Sequence, residues 1–325
     1  MSSEPPAMTL EEQFGVTEQQ IREAAALLRE GKLVAFPTET VYGLGANALD
    51  FVAVSRIFDA KGRPRTSPLI VHVSSIEMAR ELAAEWPETA QQLAERFWPG
   101  PLTLVVKKRP AIPDIVTAGL PTVGLRMPAH PVALALLREA GIPVAAPSAN
   151  RFTQLSPTTA EHVRRGLGRR VAYVLDGGPC DVGIESTVLS VVQQPFVLLR
   201  PGGISRTQIE EVIGAVASHD QPTTAAHPSP GMHPVHYSPK TPLMLVSGGA
   251  VPKSGKGAYL QLRSQPLRES TIVPMPNDPR EYAARLYAVL HEIDDGGYDW
   301  IAVEAPAETP EWEGVLDRLR RASAR

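Results

Sequence analysis

The sequence contains a single cysteine, Cys180, among its 325 residues. An internal disulfide framework and a zinc site built from several cysteines are therefore excluded. No apolar run approaches the roughly 20 residues that a membrane-spanning helix needs. Residues 1–13 are acidic and polar, without the charged and then apolar pattern of a signal peptide. These absences predict a cytoplasmic protein with no membrane partner.

The chain also lacks a strong charge of either sign, with a formal net charge of −3 at pH 7. Residues 17–203 carry 20 Lys and Arg against 17 Asp and Glu, whereas residues 204–325 carry 12 against 15. So small an excess can line a pocket, but it does not make the basic surface typical of nucleic-acid-binding proteins. We therefore expect weak or no direct binding to RNA.

Residues 17–203 alternate between short apolar runs and helical patterns. Thr17-Glu-Gln-Gln20 is a capping box that opens a helix. Further helices are predicted at about 51–60, 76–84, 88–97, 131–140 and 158–165, and strands at 33–36, 69–73, 102–106, 122–126, 144–146, 172–175, 187–192 and 196–199. Some of these strands follow one another without a helix between them, which predicts an α/β domain with a twisted mixed sheet.

A proline-rich stretch separates this region from the rest of the chain. Residues 221–242 contain six prolines and few apolar residues, which predicts an extended linker. Strand and helix patterns beyond it predict a smaller, Rossmann-like α/β domain. The predicted organisation is an N-terminal tail over 1–16, a first domain over 17–203, a helix and linker over 204–242, and a second domain over 243–325.

Two glycine motifs resemble nucleotide-binding loops, but the residues around them do not fit that interpretation. Residues 43–48 match a relaxed dinucleotide fingerprint, but Pro37-Thr-Glu-Thr40 separates these glycines from the preceding strand. Residues 249–256 resemble a phosphate-binding loop with five residues between the glycines, and Gly257 follows the lysine where a hydroxyl should ligate magnesium. Neither motif predicts a nucleotide site.

The spacing of the histidines and the cysteine does not by itself predict a metal site or a catalytic nucleophile. His227, His233 and His236 lie in the proline-rich linker, where solvated side chains are more typical than zinc ligands. Cys180 follows Pro179 and has no adjacent base, which favours a buried or loop thiol over a nucleophile. No metal site is predicted.

Polar and cationic residues recur beside the ends of predicted strands. Lys61-Gly-Arg63-Pro-Arg65 ends a helix shortly before the apolar strand at 69–73. Three cations within five residues repel one another unless an anion or solvent separates them. Arginine gives planar bidentate contacts to phosphate or carboxylate, and lysine gives a point charge. This pattern favours a site that binds an anion over a solvated basic turn.

Four further segments share this placement. Arg126 ends the strand at 122–126, and Thr122 shares its face of that strand. Pro147-Ser-Ala-Asn150 follows a buried strand, and its short polar groups suit ribose or phosphate oxygens. Ser186 and Arg200 adjoin the last two strands of the domain. This set of residues is typical of an enzyme that binds a phosphate-bearing substrate and has no strong nucleophile of its own.

Taken together, these segments resemble the YrdC/Sua family of threonylcarbamoyl-AMP synthases. The resembling residues are Phe36-Pro-Thr-Glu-Thr-Val-Tyr-Gly-Leu-Gly45, Lys61-Gly-Arg-Pro64, Pro68-Leu-Ile-Val-His72, Trp98-Pro-Gly-Pro-Leu-Thr103, Val123-Gly-Leu-Arg-Met-Pro128, Ala146-Pro-Ser-Ala-Asn150, Glu185-Ser-Thr-Val188 and Leu199-Arg-Pro-Gly-Gly203. Ser229 to Lys240 resembles the linker of two-domain members, and Gly314 to Ala322 resembles their C-terminal helix.

The resemblance implies that L-threonine, bicarbonate and ATP yield threonylcarbamoyl-AMP and pyrophosphate. The product feeds t6A modification of tRNA at position 37 through a threonylcarbamoyl transferase machinery, and Mg²⁺ is expected with ATP, with no protein-bound cofactor. Lys61 and Arg63 are implied to stabilise charge during catalysis. The ATP-binding residues implied are Lys61, Arg63, Ser67, Thr122, Ser148, Asn150, Ser156, Arg200, His236 and Tyr237, and the threonine-binding residues are Thr40, His72, Arg126, Ala146 and Ser186.

Further implications concern the linker and the alternatives. His236 and Tyr237 are implied to fold the linker over the nucleotide as a lid that excludes water from the adenylate. A related domain in hydrogenase maturation makes carbamoyl-adenylate, but within much larger chains. An RNA-binding module of this type is the other alternative, and steep salt dependence of RNA binding would favour it.

Overall fold

The computed structural model describes residues 8–218 and 236–324. The α-helices in these two segments are α1 (Leu10–Phe14), α2 (Glu18–Arg29), α3 (Phe51–Lys61), α4 (Ile76–Leu82), α5 (Glu88–Phe97), α6 (Asp114–Thr117), α7 (Pro131–Ala140), α8 (Ala160–Leu167), α9 (Arg206–Ile213), α10 (Pro279–Asp295) and α11 (Glu313–Ala322). Short 3-10 helices span Gly168–Arg170 and Pro310–Trp312.

The strands belong to two separate sheets. They are β1 (Val34–Phe36), β2 (Gly43–Asn47), β3 (Ile70–His72), β4 (Leu102–Lys107), β5 (Thr122–Arg126), β6 (Val144–Ala145), β7 (Tyr173–Val174), β8 (Thr187–Ser190), β9 (Val197–Arg200), β10 (Ala217–Ser218), β11 (Leu243–Val246), β12 (Gly257–Gln261), β13 (Thr271–Pro274) and β14 (Trp300–Glu304).

The first sheet has ten strands in the order β10-β9-β8-β4-β5-β3-β6-β2-β1-β7. Its neighbours run in both directions: β3 is parallel to β5, whereas β4 is antiparallel to β5. The register places His72 beside Arg126 at the ends of β3 and β5. The predicted mixed sheet is confirmed, and its pairing brings two of the predicted site residues side by side.

The helix α2 shows how the sequence forms a helix that packs on the first sheet. It begins after Thr17, whose Oγ1 accepts a hydrogen bond from the Gln20 N–H at 3.2 Å. Its buried residues recur at helical spacing and make one apolar face, which packs with α7 and β1 in a single cluster. The residues of α2 on that face are Ile21, Ala24, Ala25 and Leu28.

The second sheet has the strand order β11-β14-β12-β13, and all its pairs are parallel. Its inner strands are buried, and one face packs with α10 and α11. This sheet confirms the smaller α/β domain expected after the linker. Val41, Leu155 and Ile184 of the first domain lie in the same apolar cluster, so the two domains share a packed core.

Several details differ from the sequence prediction. The segment that resembled a dinucleotide fingerprint forms β2, where a Cβ on Gly45 would lie 2.9 Å from atoms of Phe36 and Val144. Glycine is therefore needed for close strand packing. The predicted tail contains α1, and the first sheet continues to β10, beyond the predicted boundary at residue 203. Most of the predicted linker, with His227 and His233, lies outside the described residues.

No helix in the described parts of the chain is long and apolar enough to cross a membrane. The longest, α10, has 17 residues, and it carries charged side chains along its length.

The contact between the domains should depend on pH through two stacked histidines. The rings of His162 on α8 and His291 on α10 lie with centroids 3.8 Å apart. Burial, together with the facing His291, lowers the pKa of His162 to about 4, and burial also lowers the pKa of His291. The unfolded chain therefore takes up protons near the ordinary pKa of 6.5, and the folded chain only below it.

Stability from this pair is thus fully present above about pH 6.5 and is lost as the pH falls toward 4. We expect His162→Gln to reduce the loss of unfolding free energy between about pH 7 and pH 5, because it removes one of the two titrating rings. Urea unfolding of both proteins at the two pH values measures this. Equal losses in the two proteins would show that the pair does not contribute.

Candidate active site

A pocket lies over one face of the first sheet, where several strands and loops converge. β3 contributes Ile70 and His72, which point to the same face because side chains alternate along a strand. The other lining residues are Thr38, Thr40, Val41, Gly43, Arg63, Arg126, Ala146, Pro147, Ser148, Glu185, Ser186, Arg200, His236 and Tyr237. Segments that are distant in sequence, including one beyond residue 235, therefore form one site.

Lys61 ends α3 and supports the wall of the pocket. The positive φ of 65° at Gly62 ends the helix directly after it. The Lys61 ammonium is buried and donates to the Ser148 carbonyl, to the Asn150 carbonyl at 2.5 Å and to Asn150 Oδ1 at 3.2 Å. Burial, and then the nearby charge of Arg63, hold its pKa well below the ordinary value. Lys61 thus fixes the loop at 148–150.

Arg63 is the second buried cation of this segment. Its Nη2 donates to the Pro68 carbonyl at 3.1 Å, and its guanidinium lies 5.8 Å from the centroid of the Phe152 ring. Burial lowers the pKa of Arg63 to about 10, so the group stays charged at neutral pH. Arg65, in contrast, is exposed. The sequence cluster of cations is therefore divided between the pocket and the surface.

Arg200, at the end of β9, holds the segment that carries Ser186. Its Nε donates to the Ser186 carbonyl at 3.1 Å, and its Nη2 donates to that carbonyl at 2.9 Å and to Ser186 Oγ at 3.2 Å. Ser186 Oγ also lies 2.8 Å from Thr103 Oγ1. Arg200 is 3% exposed and lines the pocket. Its charge and the Ser186 hydroxyl are thus held together.

Arg126 and His72 make the third part of the site. Arg126 Nη2 lies 2.8 Å from Glu39 Oε1, and Glu39 Oε2 accepts the Ala129 N–H at 3.0 Å. Burial, and then the charge of Arg126, lower the pKa of His72 to about 3. His72 is therefore neutral at physiological pH and can donate or accept one hydrogen bond at each ring nitrogen. A fixed arginine beside a neutral imidazole suits a small zwitterionic ligand.

His236 and Tyr237 reach the pocket from the start of the second described segment. His236 is buried, and its ring packs edge-on against Phe152 with centroids 5.8 Å apart. Burial, and then the charge of Arg63, hold the pKa of His236 well below the ordinary value. Tyr237 has a positive φ of 60° and is 1% exposed. The chain therefore passes over the cationic part of the pocket.

Five residues expected to bind ATP do not line this pocket. Ser67 and Asn150 lie in the loops held by Arg63 and Lys61. Ser156 Oγ donates to Glu185 Oε1 at 2.5 Å. Thr122 begins β5, about 14 Å of strand away from Arg126 at the usual rise per residue. Lys61 is the fifth expected residue outside the lining, and it supports the lining from behind.

Sequence reasoning missed one charged residue of the pocket. Glu185 lies beside Ser186 and is 7% exposed. Its carboxylate accepts from Ser156 Oγ, Tyr287 OH and Arg318 Nε. The segment Glu185-Ser-Thr-Val188 resembles the family, but the local sequence assigns no role to its glutamate. Two of its partners, Tyr287 and Arg318, lie on α10 and α11, more than 100 residues away.

The described residues hold no group of three or more His, Cys, Asp or Glu side chains placed to bind a metal. Cys180 is buried, and burial raises the pKa of its thiol. The thiol is therefore protonated at neutral pH and is a poor nucleophile. The groups that line the pocket include guanidinium groups, hydroxyl groups and the neutral histidines His72 and His236.

Two family models match the chain. One, described as "Telomere recombination" and covering Sua5, YciO and YrdC proteins, matches residues 26–202. The other, described as "Threonylcarbamoyl-AMP synthase, C-terminal domain", matches residues 204–324.

Similar proteins and structures cover nearly the whole chain. Proteins named threonylcarbamoyl-AMP synthase from Pyrococcus abyssi and Bacillus subtilis are each 43% identical, over 95% and 96% of this chain and 95% of their own. A crystal structure of P. abyssi Sua5 in complex with L-threonine superposes with a TM-score of 0.88 at 42% identity, covering 94% of this chain and 95% of that one.

Proposed function

Since this chain belongs to the Sua5/YrdC family of threonylcarbamoyl-AMP synthases, we propose that its pocket binds ATP and L-threonine and joins them through a carbamate. The chain is an enzyme of the nucleotidyltransferase type. The threonine amine forms a carbamate with bicarbonate and releases water. A carbamate oxygen then attacks the α-phosphorus of ATP, the bond to the β-phosphate oxygen breaks, and pyrophosphate leaves.

One observation carries the proposal: cations outnumber carboxylates among the buried residues of the pocket. Arg63, Arg126 and Arg200 line it, together with the carboxylate of Glu185, and Glu39 is the buried ion-pair partner of Arg126. Lys61 adds a further buried cation just behind the lining. A buried positive excess of this kind is costly unless an anion binds there. The triphosphate and the carboxylate of threonine supply that negative charge.

Catalysis in this site consists of positioning and charge stabilisation. Lys61 and Arg63 would stabilise charge as pyrophosphate leaves, because their cations are already fixed by carbonyl groups. We assign ATP to Lys61, Arg63, Ser67, Thr122, Ser148, Asn150, Ser156, Arg200, His236 and Tyr237. Magnesium enters as part of the nucleotide substrate, with contacts mostly to phosphate and water.

Threonine would occupy the part of the pocket beside Arg126. Its carboxylate would meet the Arg126 guanidinium, and neutral His72 would accept or donate one hydrogen bond without adding charge. We assign threonine to Thr40, His72, Arg126, Ala146 and Ser186. The remaining substrate, bicarbonate, would lie between the threonine amine and the α-phosphate.

The segment that carries His236 and Tyr237 would act as the lid over the nucleotide. Both side chains are buried against the cationic part of the pocket, which is the arrangement a water-excluding cover requires. The product would pass to the transferase that modifies tRNA, in the cytoplasm.

Release of pyrophosphate tests the proposal directly. We expect the purified protein with ATP and bicarbonate to release pyrophosphate when L-threonine is added, and much less with L-serine, which lacks the methyl group. Release that does not depend on threonine would indicate a carbamoyl-adenylate-forming enzyme instead. No release, together with salt-sensitive RNA binding, would indicate an RNA-binding module.

A further inference from the structure

Arg318 is a buried arginine of the second domain that contacts the first. It lies on α11, and 1% of its surface is exposed. Its Nε donates to Glu185 Oε2 at 2.7 Å, its Nη2 to the Glu185 carbonyl at 3.2 Å, and its Nη1 to the Pro201 carbonyl at 2.9 Å. A single guanidinium therefore holds two separate segments of the first domain.

Both of these segments carry side chains of the pocket. Glu185 is bonded directly to Ser186, and Pro201 directly to Arg200. Arg200 in turn donates to the Ser186 carbonyl at 2.9 Å. The position of Ser186 therefore depends on the Glu185 peptide group, which Arg318 fixes.

The close approach of α11 leaves little room for these segments to shift. A Cβ on Gly314 of α11 would lie 2.9 Å from the Gly202 carbonyl oxygen. A Cβ on Gly202 would lie 2.4 Å from the Glu185 carbonyl oxygen. Three layers of backbone are thus in contact behind the pocket, and two glycines make that contact possible.

The charge of Arg318 also keeps Glu185 ionised. Burial alone would raise the pKa of Glu185, but the charges of Arg318 and Arg200 and the hydrogen bond from Ser156 hold it below the ordinary value. Tyr287 of α10 donates to the same carboxylate at 3.2 Å. The second domain thus supplies two of the groups that satisfy this buried carboxylate.

We propose that Arg318 is a positioning residue for Ser186 and Arg200 in the pocket, through which the second domain acts on the reaction. The proposal rests on the proposed function. Arg318 does not line the pocket; it acts through Glu185 on Ser186. Arg318 also adjoins two residues assigned to ATP, because Pro201 follows Arg200 and the Arg318 guanidinium lies 5.2 Å from the centroid of the Tyr237 ring. Its loss should therefore affect the binding of both substrates.

Arg318→Lys tests the proposal, with Arg320→Lys as its matched control. Lysine keeps the charge but cannot make all three hydrogen bonds that the guanidinium donates to Glu185 and Pro201. Arg320 lies on the same helix, but its side chain is 56% exposed and pairs with an exposed glutamate. Threonine-dependent pyrophosphate release gives the KM of each substrate, and calorimetry with L-threonine alone measures binding without turnover.

We expect Arg318→Lys to raise the KM and Kd for threonine about 10- to 100-fold, as displaced positioning groups do. The KM for ATP should also rise, because Arg200 and Tyr237 adjoin the same guanidinium, and Arg320→Lys should behave as wild type. The double variant Arg318→Met with Glu185→Gln removes both buried charges and should keep a raised KM for threonine. Circular dichroism confirms that each variant is folded.

Two results would overturn the inference. A wild-type KM for threonine in folded Arg318→Lys or in the double variant would show that Arg318 has no positioning role. A loss of kcat in proportion to the unfolded fraction, with neither KM changed, would show a purely structural role. If wild type and Arg320→Lys themselves release no threonine-dependent pyrophosphate, the proposed function fails, and the inference fails with it.

Discussion

Arg200→Ala is expected to lower kcat/KM for threonylcarbamoyl-AMP formation by about 30- to 1,000-fold, or ~2–4 kcal/mol of transition-state stabilisation. The substitution removes a buried cation from the pocket wall and the donors that hold the Ser186 carbonyl and hydroxyl. Lys61→Ala should cost a similar amount, because the 148–150 loop loses its support together with the charge. Pyrophosphate release at saturating and at limiting ATP measures both effects.

Arg65→Ala is the matched control for these variants. Arg65 lies in the same basic segment as Lys61, but its side chain is exposed and does not line the pocket. Its loss should change kcat/KM by less than about threefold, as expected for a surface substitution. Full activity in both Arg200→Ala and Lys61→Ala would refute the assignment of the cationic pocket.

The sequence predicted the elements that carry the site better than the roles of single side chains. Apolar runs and capping signals indicated strands and helices near their observed positions, because local pattern and tertiary burial agree there. The strand β5 has the predicted bounds, Thr122–Arg126. The motif segments around Arg63, Ser148 and Arg200 do converge, and their roles as ligands stay predictions.

Where the prediction was incomplete, the missing information lies in tertiary contacts. The glycine-rich segment at 43–47 gave no strand signal, since glycine is chosen there by the closeness of Phe36 and Val144 on neighbouring strands. Lys61 was expected as a ligand contact alone, and its three oxygen acceptors come from a loop almost 90 residues away. Neither contact can be predicted from the local sequence.

Glu185 and Arg318 show the same limit most clearly. Each residue lies in a segment that resembles the family, but neither segment indicates the partner of its charged residue. The ion pair between them forms only when α11 packs against the first domain. Their charges are buried together, so each one requires the other. A pattern read along the chain cannot detect a pair separated by 133 residues.

Removal of residues 221–325 is expected to abolish efficient product formation, with a loss of more than about 100-fold in kcat/KM for threonine. The shortened chain loses His236 and Tyr237 from the pocket. It also loses Arg318 and Tyr287, which leaves the Glu185 carboxylate with fewer partners and exposes apolar residues of the shared core. Loss of a buried ion-pair partner costs about 3–5 kcal/mol, a large fraction of the stability of a typical domain.

The same deletion combined with Glu185→Gln separates stability from catalysis. Glutamine removes the buried charge, so the midpoint of thermal unfolding should recover part of its loss. Product yield should not recover, because the lid and the support for Ser186 are still absent. Circular dichroism and chromatographic measurement of threonylcarbamoyl-AMP follow the two properties. A shortened chain with wild-type product yield and product lifetime would show that the second domain and its linker contribute neither positioning nor protection from water.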